Sequence, residues 1–395
     1  MESMDIAIET IESIRSAIQP DRLLDTALKL IEVPSPTRQA KGALDRMDEI
    51  LSDDGFTVER HDADWPDAPA VVVRWSSGRP GKTIQFAGHL DTVHLQFVPP
   101  RVESGLLYGS GASDMKGGTA AAVEALRVLR DLNALQAGDV LFTAFDLHEA
   151  PWGDGAQITA LTRDGIVGDG VLIPEYHMQS LPVGGRGLAI MEVTINRDGE
   201  PMHEVVGGIE QPNVIAAGVE LVQKFLQLDK ELAEISDPMI GRESAFVGQI
   251  HSGEIFNQSP TELTLSGTRR WIPGTKIEFV EQQYRSIINE IAQTDGIQIE
   301  DNLMVVVDAF ELDQSHPLID KFQSVCQAVM GKPLPVGPKP FADDGNRIST
   351  IAGVPAITHG PDAKGAHTLE ESVPVKELQR VALIYALTAM VFCPD

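Results

Sequence analysis

The sequence predicts an α/β chain in two parts. A larger domain is built on a mainly parallel sheet, and a small α+β domain of ferredoxin-like order interrupts it. Three observations predict this. The chain has 395 residues, more than one core usually holds, since cores stop growing near ~250–300 residues. Short apolar runs alternate with helical stretches up to about Pro174, the texture of an α/β sheet. After Arg186 the order changes to strand, helix, strand, strand, helix, strand, which is a split βαβ series.

Each element follows from its local pattern. Over 21–33, Leu23, Leu24, Ala27, Leu28, Leu30 and Ile31 fall on one helical stripe. Pro34-Ser35-Pro36 ends it, because proline cannot continue a helix. A second helix spans 41–52. Apolar runs at 69–74, 82–88, 139–146 and 170–174 read as strands, with helices at 116–132 and 155–164 between them. The interrupting domain comprises strand 187–195, helix 213–227, strands 245–252 and 261–270, helix 275–293 and strand 302–309. Helix 316–330, an apolar run at 353–358 and helix 375–391 return to the first domain. The expected boundaries are therefore 1–185 with 311–395 for the larger domain and 186–310 for the smaller.

Charge narrows the function. Asp and Glu number 58 against 31 Lys and Arg, a formal net charge of −27. Nucleic acid and anionic membrane both need a basic face, so neither is an expected partner. Two cysteines, Cys326 and Cys393, are too few for a disulfide framework. The stretch Met1–Ile14 has no basic region ahead of an apolar run. No window reaches the ~18 apolar residues of a membrane span. The expectation is a soluble cytoplasmic protein.

The chemistry-bearing residues gather at strand ends. His89 and Asp91 close the run 82–88, His148-Glu149 follows 139–146, and Glu175 follows 170–174. Asp114 stands at the mouth of helix 116–132, and His367 lies in Gly365-Ala366-His367-Thr368-Leu369-Glu370-Glu371. In open α/β sheets the C-terminal strand ends line one crevice. Singly these residues would be solvated carboxylates, a helix cap or surface histidines. Together they make an N/O donor set suited to zinc, manganese or cobalt. Such close carboxylates would repel one another without a cation. A dinucleotide loop, a phosphate loop and a nucleophile elbow are not supported: Asp114 takes the third glycine position of Gly109-Ser110-Gly111-Ala112-Ser113-Asp114, and neither GxxxxGK[ST] nor GxSxG occurs.

Gly88-His89-Leu90-Asp91-Thr92-Val93, followed by Leu107-Tyr108-Gly109-Ser110-Gly111-Ala112-Ser113-Asp114-Met115-Lys116-Gly117-Gly118, resembles the M20 family of metal-dependent peptidases and amidohydrolases. The likeness extends over nearly the whole chain. It implies a zinc-peptidase-like catalytic domain interrupted by a lid domain that commonly dimerises, so a homodimer is expected. It implies one or two Zn²⁺ per subunit, with Mn²⁺ or Co²⁺ as alternatives, and a bridging water that attacks an amide carbonyl. By the same resemblance His89 ligates one metal and Asp91 orients it. Asp114 bridges, Glu149 serves the other metal, Glu175 partners His89, and His367 partners Glu149. In the lid, His203 steadies the oxyanion in the partner subunit's site. Asn257 and Arg270 match positions that grip a substrate carboxylate, a task suited to bidentate arginine, and Asn213, in the same segment as His203, is a further substrate-binding candidate.

One position departs from the family pattern. Where two adjacent glutamates are usual, a base and a ligand, this chain has His148-Glu149. His148 then has four readings: the proton acceptor, a further ligand that leaves the base role to Glu149, a sign of altered chemistry, or a merely structural side chain. The expected activity is hydrolysis of an amide-type C–N bond in a small carboxylate-bearing substrate, an N-acyl amino acid or dipeptide by resemblance. The alternatives are an aminohydrolase acting on a non-peptide C–N bond, and a silent metal- or ligand-binding member of the family.

Overall fold

The computed structural model describes residues 6–339 and 341–394. The N-terminal stretch read as unlike an export signal begins in residues 1–5, outside the described residues. Two compact units are present. One comprises the chain up to Val183, Leu312–Gly337 and Asp343 onward; the other comprises Gly184–Glu311 and Pro338–Ala342. Among the described residues, no helix is long and apolar enough to cross a membrane.

In chain order the first unit begins with α1 (Ile8–Ala17), α2 (Pro20–Ile31), α3 (Lys41–Asp53), β1 (Val58–His61), β2 (Ala70–Ser76) and β3 (Thr83–His89). It continues with α4 (Lys116–Asp131), β4 (Asp139–Phe145), α5 (Ala156–Arg163) and β5 (Gly170–Ile173). The second unit holds β6 (Gly187–Asn196), α6 (Val214–Leu232), β7 (Ser244–Ser252), β8 (Glu262–Trp271), α7 (Ile277–Ile291) and β9 (Gln298–Val307). The chain then returns to the first unit through α8 (Pro317–Met330), α9 (Asp344–Ala352), β10 (Ala356–Thr358) and α10 (Val375–Phe392).

The central sheet of the first unit runs β1-β2-β4-β3-β5-β10. The four strands β4, β3, β5 and β10 are parallel, while β1 and β2 join one edge antiparallel. The parallel strands are buried on both faces: Ile84 to His89 and Val140 to Phe145 are buried without a break. Burial on both faces explains why they read as continuous apolar runs rather than as alternation. One side of the core joins Ala87, Leu141, Phe145, Val171 and Ile173 to Ile158 and Leu161 of α5 and to Ile348 of α9. Register fixes the level of the site. His89 pairs with Phe145, the last residues of β3 and β4, so both strands deliver the chain to the same edge. Helix α4 packs close behind them. A methyl group on Gly118 would overlap the backbone carbonyl oxygen of Pro174.

The second unit has an antiparallel sheet of order β7-β8-β6-β9. Numbered within the unit this is 2-3-1-4, the ferredoxin-like arrangement. Burial alternates along β6 and β8, as expected where one face meets a core. Met191, Val193, Ile195, Leu263 and Leu265 supply that face, and Leu221 and Phe225 of α6 with Tyr284 and Ile288 of α7 cover it.

Candidate metal centre

His89 is the last residue of β3 and fully buried. Its Nε2 lies 3.1 Å from Asp114 Oδ1 and 3.5 Å from Glu175 Oε1. The resemblance implies that Asp91 orients this ring, and the geometry refines how. Nδ1 meets the Asp91 backbone carbonyl at 3.0 Å, whereas the nearer carboxylate oxygen is 3.6 Å away. The Asp91 carboxylate instead accepts from Thr37 Oγ1 at 2.9 Å and from the amides of His148 and Glu149 at 3.0 and 3.1 Å. It ties the end of β4 to the end of β3. Leu147, at φ 63°, is held in a costly left-handed turn for a leucine. The two anchored amides follow it directly.

Asp114 is buried and uses both oxygens, with Oδ2 at 3.2 Å from His367 Nε2. The same imidazole nitrogen is 3.2 Å from Glu149 Oε2. The loop that presents Asp114 closes around Glu371. That carboxylate accepts the amides of Gly111, Ser113 and Asp114 at 3.1–3.2 Å and the Ser113 hydroxyl at 2.9 Å. Since Glu371 follows His367 by one loop, it holds the His367 and Asp114 segments together. His148 turns its Nδ1 to Asp344 Oδ2 at 2.8 Å, and its ring stacks on His89 with centroids 3.9 Å apart and planes 1° apart. His177, two residues after Glu175, faces Ser180.

Two sets of donor atoms each lie within 4.8 Å of one another: His89, Asp114 and Glu149, and His89, His148 and Glu175. The electrostatics follow from this crowding. Burial and the Asp114 charge push the Glu175 carboxyl up to about 7. Burial would lower His89, yet hydrogen bonds to Asp114 and Glu175 hold it well above the ordinary imidazole value. Hydrogen bonds to Asp114 and Glu149 raise His367 to about 10. Burial would raise Asp114, but His367 and His89 hold it far below the carboxylate range. The imidazoles here carry the compensation that a divalent cation would take over. Glu175 Oε2 is buried with no hydrogen-bond partner among the described residues, a state that normally costs stability. This donor set, with its orphaned oxygen, fits zinc, manganese or cobalt.

The second unit places its candidates as follows. His203 is exposed, with Nε2 at 2.9 Å from Asn257 Nδ2, while its Nδ1 accepts from the Val205 amide. Asn213 is the N-cap of α6 and accepts from the Ala216 amide at 3.0 Å, a common use of asparagine. Arg270 lies half-buried on β8, where burial and nearby Arg186 lower its pKa. Sequence reasoning missed Asp344, Thr37 and the role of Glu371. The signal for Asp344 was a helix start: Asp343 and Asn346 form the capping box of α9. Thr37 and Glu371 carried no local signal, because their partners lie 54 and about 260 residues away in sequence.

Comparisons with known proteins converge. The sequence model described as peptidase family M20/M25/M40 matches residues 85–391. Succinyl-diaminopimelate desuccinylase of Delftia acidovorans is 24% identical over 396 aligned residues, covering 93% of this chain and 97% of the relative. Aminopeptidase PepT of Bacillus cereus superposes with a TM-score of 0.78 at 19% identity, covering 95% of this chain and 99% of that one. The YXEP protein of Bacillus subtilis, described as a dinuclear metal binding peptidase, gives a TM-score of 0.68 at 14% identity, covering 96% and 98%. At such identities these structures speak for the fold alone.

Proposed function

The chain belongs to peptidase family M20/M25/M40, and on that premise we propose that it cleaves an amide-type C–N bond in a small carboxylate-bearing substrate, an N-acyl amino acid or a dipeptide. One observation carries this reading. His89, Asp114, Glu149, Glu175 and His367 come from separate segments and gather their donor atoms in one cluster. His89 and Glu175 would hold one ion, Glu149 and His367 the other, and Asp114 would lie between the two. One or two bound ions, zinc in the first instance and manganese or cobalt otherwise, supply the acidification of a water and the polarisation of the scissile carbonyl. Asp91 sets the His89 ring and the 148–149 backbone.

His148 stands at the base position, accepts the proton of the attacking water and returns it to the leaving amine. In the smaller, lid unit, His203 and Asn257 form a hydrogen-bonded pair suited to an oxyanion. Arg270 and Asn257 are assigned to the substrate carboxylate, and Asn213 to substrate binding, by family resemblance. A homodimer through the lid and a cytoplasmic location complete the proposal, the latter supported by two unpaired, buried cysteines.

The test combines elemental analysis of zinc-loaded protein with a panel of N-acetyl amino acids and dipeptides. Wild type is expected to bind metal and cleave part of the panel, and Glu149→Ala to lose that activity. Activity that survives Glu149→Ala removes that residue from the centre. The His148–Asp344 pair favours a second reading, an aminohydrolase releasing ammonia from a non-peptide C–N bond. That reading gains if His148→Glu creates peptidase activity where wild type has none.

A further inference from the structure

We propose that Asp344 is the positioning residue of His148: it engages Nδ1, turns Nε2 toward the carboxylate cluster, and so makes an imidazole–carboxylate pair do the work of a single carboxylate base. The inference rests on the hydrolytic reading of this cluster and adds a residue that the strand-end pattern does not contain.

Four observations support it. The contact is short and its carboxylate is buried: Nδ1 to Asp344 Oδ2 is 2.8 Å, and Asp344 is 1% exposed. Asp344 is not needed by its own helix. Asp343 caps α9, accepting from the Gly345 amide at 2.7 Å, so the adjacent carboxylate is free to face His148. Its other oxygen, Oδ1, is buried without a hydrogen-bond partner among the described residues, an arrangement that helix stability alone would not select.

The stack on His89 restricts the His148 ring to two flips in one plane. The bond to a carboxylate, which can only accept when ionised, selects the flip and makes Nδ1 the donor. Nε2 is then left with its lone pair outward, 3.7 Å from Glu175 Oε1, too far for a hydrogen bond, and among the described residues no donor occupies it.

The same stack decides between base and ligand. The lone pair of an imidazole nitrogen lies in the ring plane. Two rings 3.9 Å apart and tilted by 1° have lone pairs in parallel planes, which do not meet at one ion. The donor atoms of His89, His148 and Glu175 satisfy the distance condition for a metal, but the ring directions do not. His148 therefore sits beside the metal cluster rather than in it, where a proton acceptor belongs.

The experiment compares zinc-loaded wild type with Asp344→Asn, Asp344→Ala and His148→Ala, using the N-acetyl amino acid or dipeptide of the panel that wild type cleaves best. Metal content, kcat and KM are measured. Long-range proton–nitrogen spectra of protein labelled with nitrogen-15 histidine report which ring nitrogen of His148 carries the proton, with His148→Ala giving the assignment. Asp344→Asn is expected to keep its metal and its KM, to lose kcat by roughly 10–100-fold, and to change the His148 nitrogen pattern. Wild-type kcat in Asp344→Asn beside a crippled His148→Ala overturns the positioning role and leaves the hydrolytic reading standing. If wild type cleaves nothing in the panel, the hydrolytic reading fails. The spectra then still decide the pair: an unchanged His148 pattern in Asp344→Asn overturns it. Should Asp344→Ala fold poorly, the isosteric Asp344→Asn carries both readouts.

Discussion

Asp114 divides its two carboxylate oxygens between two imidazoles, Oδ1 at 3.1 Å from His89 and Oδ2 at 3.2 Å from His367. A side chain so placed joins two halves of a donor set, and its charge is the part an amide cannot replace. Asp114→Asn is expected to fold but to lose metal affinity by more than the ~10–100-fold that a supporting partner alone contributes. Titration with zinc under a competing chelator would measure this, and an unchanged affinity would remove Asp114 from the ligand set. Most of this site was legible residue by residue, because His89, Asp114, Glu149 and Glu175 each follow or precede a strongly patterned element. Asp344 was not. It lies 196 residues from His148 and opens a short helix whose sequence, Asp344-Gly345-Asn346-Arg347-Ile348-Ser349-Thr350, has too few apolar residues to show a period.

At the level of elements, the site depends on how closely α4 approaches the ends of β3 and β5. Two glycines mark that approach. A side chain at Gly88 would meet Thr119, which can rotate, but one at Gly118 would meet the backbone carbonyl oxygen of Pro174, which cannot. Pro174 immediately precedes Glu175. Gly118→Ala is therefore expected to cost about 1–3 kcal/mol as an overpacking change and to displace the Glu175 backbone. Thermal denaturation should show a lower Tm, and zinc titration a weaker site. A variant with wild-type Tm and zinc affinity would show that the helix can move without disturbing the centre. The strands β3, β4 and β5 were legible because burial on both faces makes them largely apolar, and β2 through its buried run Ala70-Val71-Val72-Val73. β1, of sequence Val58-Glu59-Arg60-His61, was not, since an edge strand with one apolar residue has no pattern to read.

The whole molecule carries a formal charge of −27, of which only Asp91, Asp114, Glu149 and Glu175 belong to the centre; Asp344 adds a fifth carboxylate beside it. Two divalent ions would offset about four charges, so most of the acidity is a property of the surface and bears on solubility. The ions matter more to stability than to net charge. A ligand held at 100 to 1,000 times its dissociation constant stabilises the folded state by about 3–4 kcal/mol. Chelation should therefore lower the Tm of wild type, and zinc should restore it. The texture change after Arg186 was legible at this scale because the helix and strand order itself differs between the two units, whatever the boundaries of single elements. Whether this centre holds metal and drives hydrolysis is decided by elemental analysis of wild type after zinc loading and exhaustive dialysis, with hydrolysis of the N-acyl amino acid and dipeptide panel followed on the same samples. One or two retained zinc ions per chain are expected, with an activity that rises and falls with that content. Protein that retains no divalent metal under any loading condition would contradict that expectation.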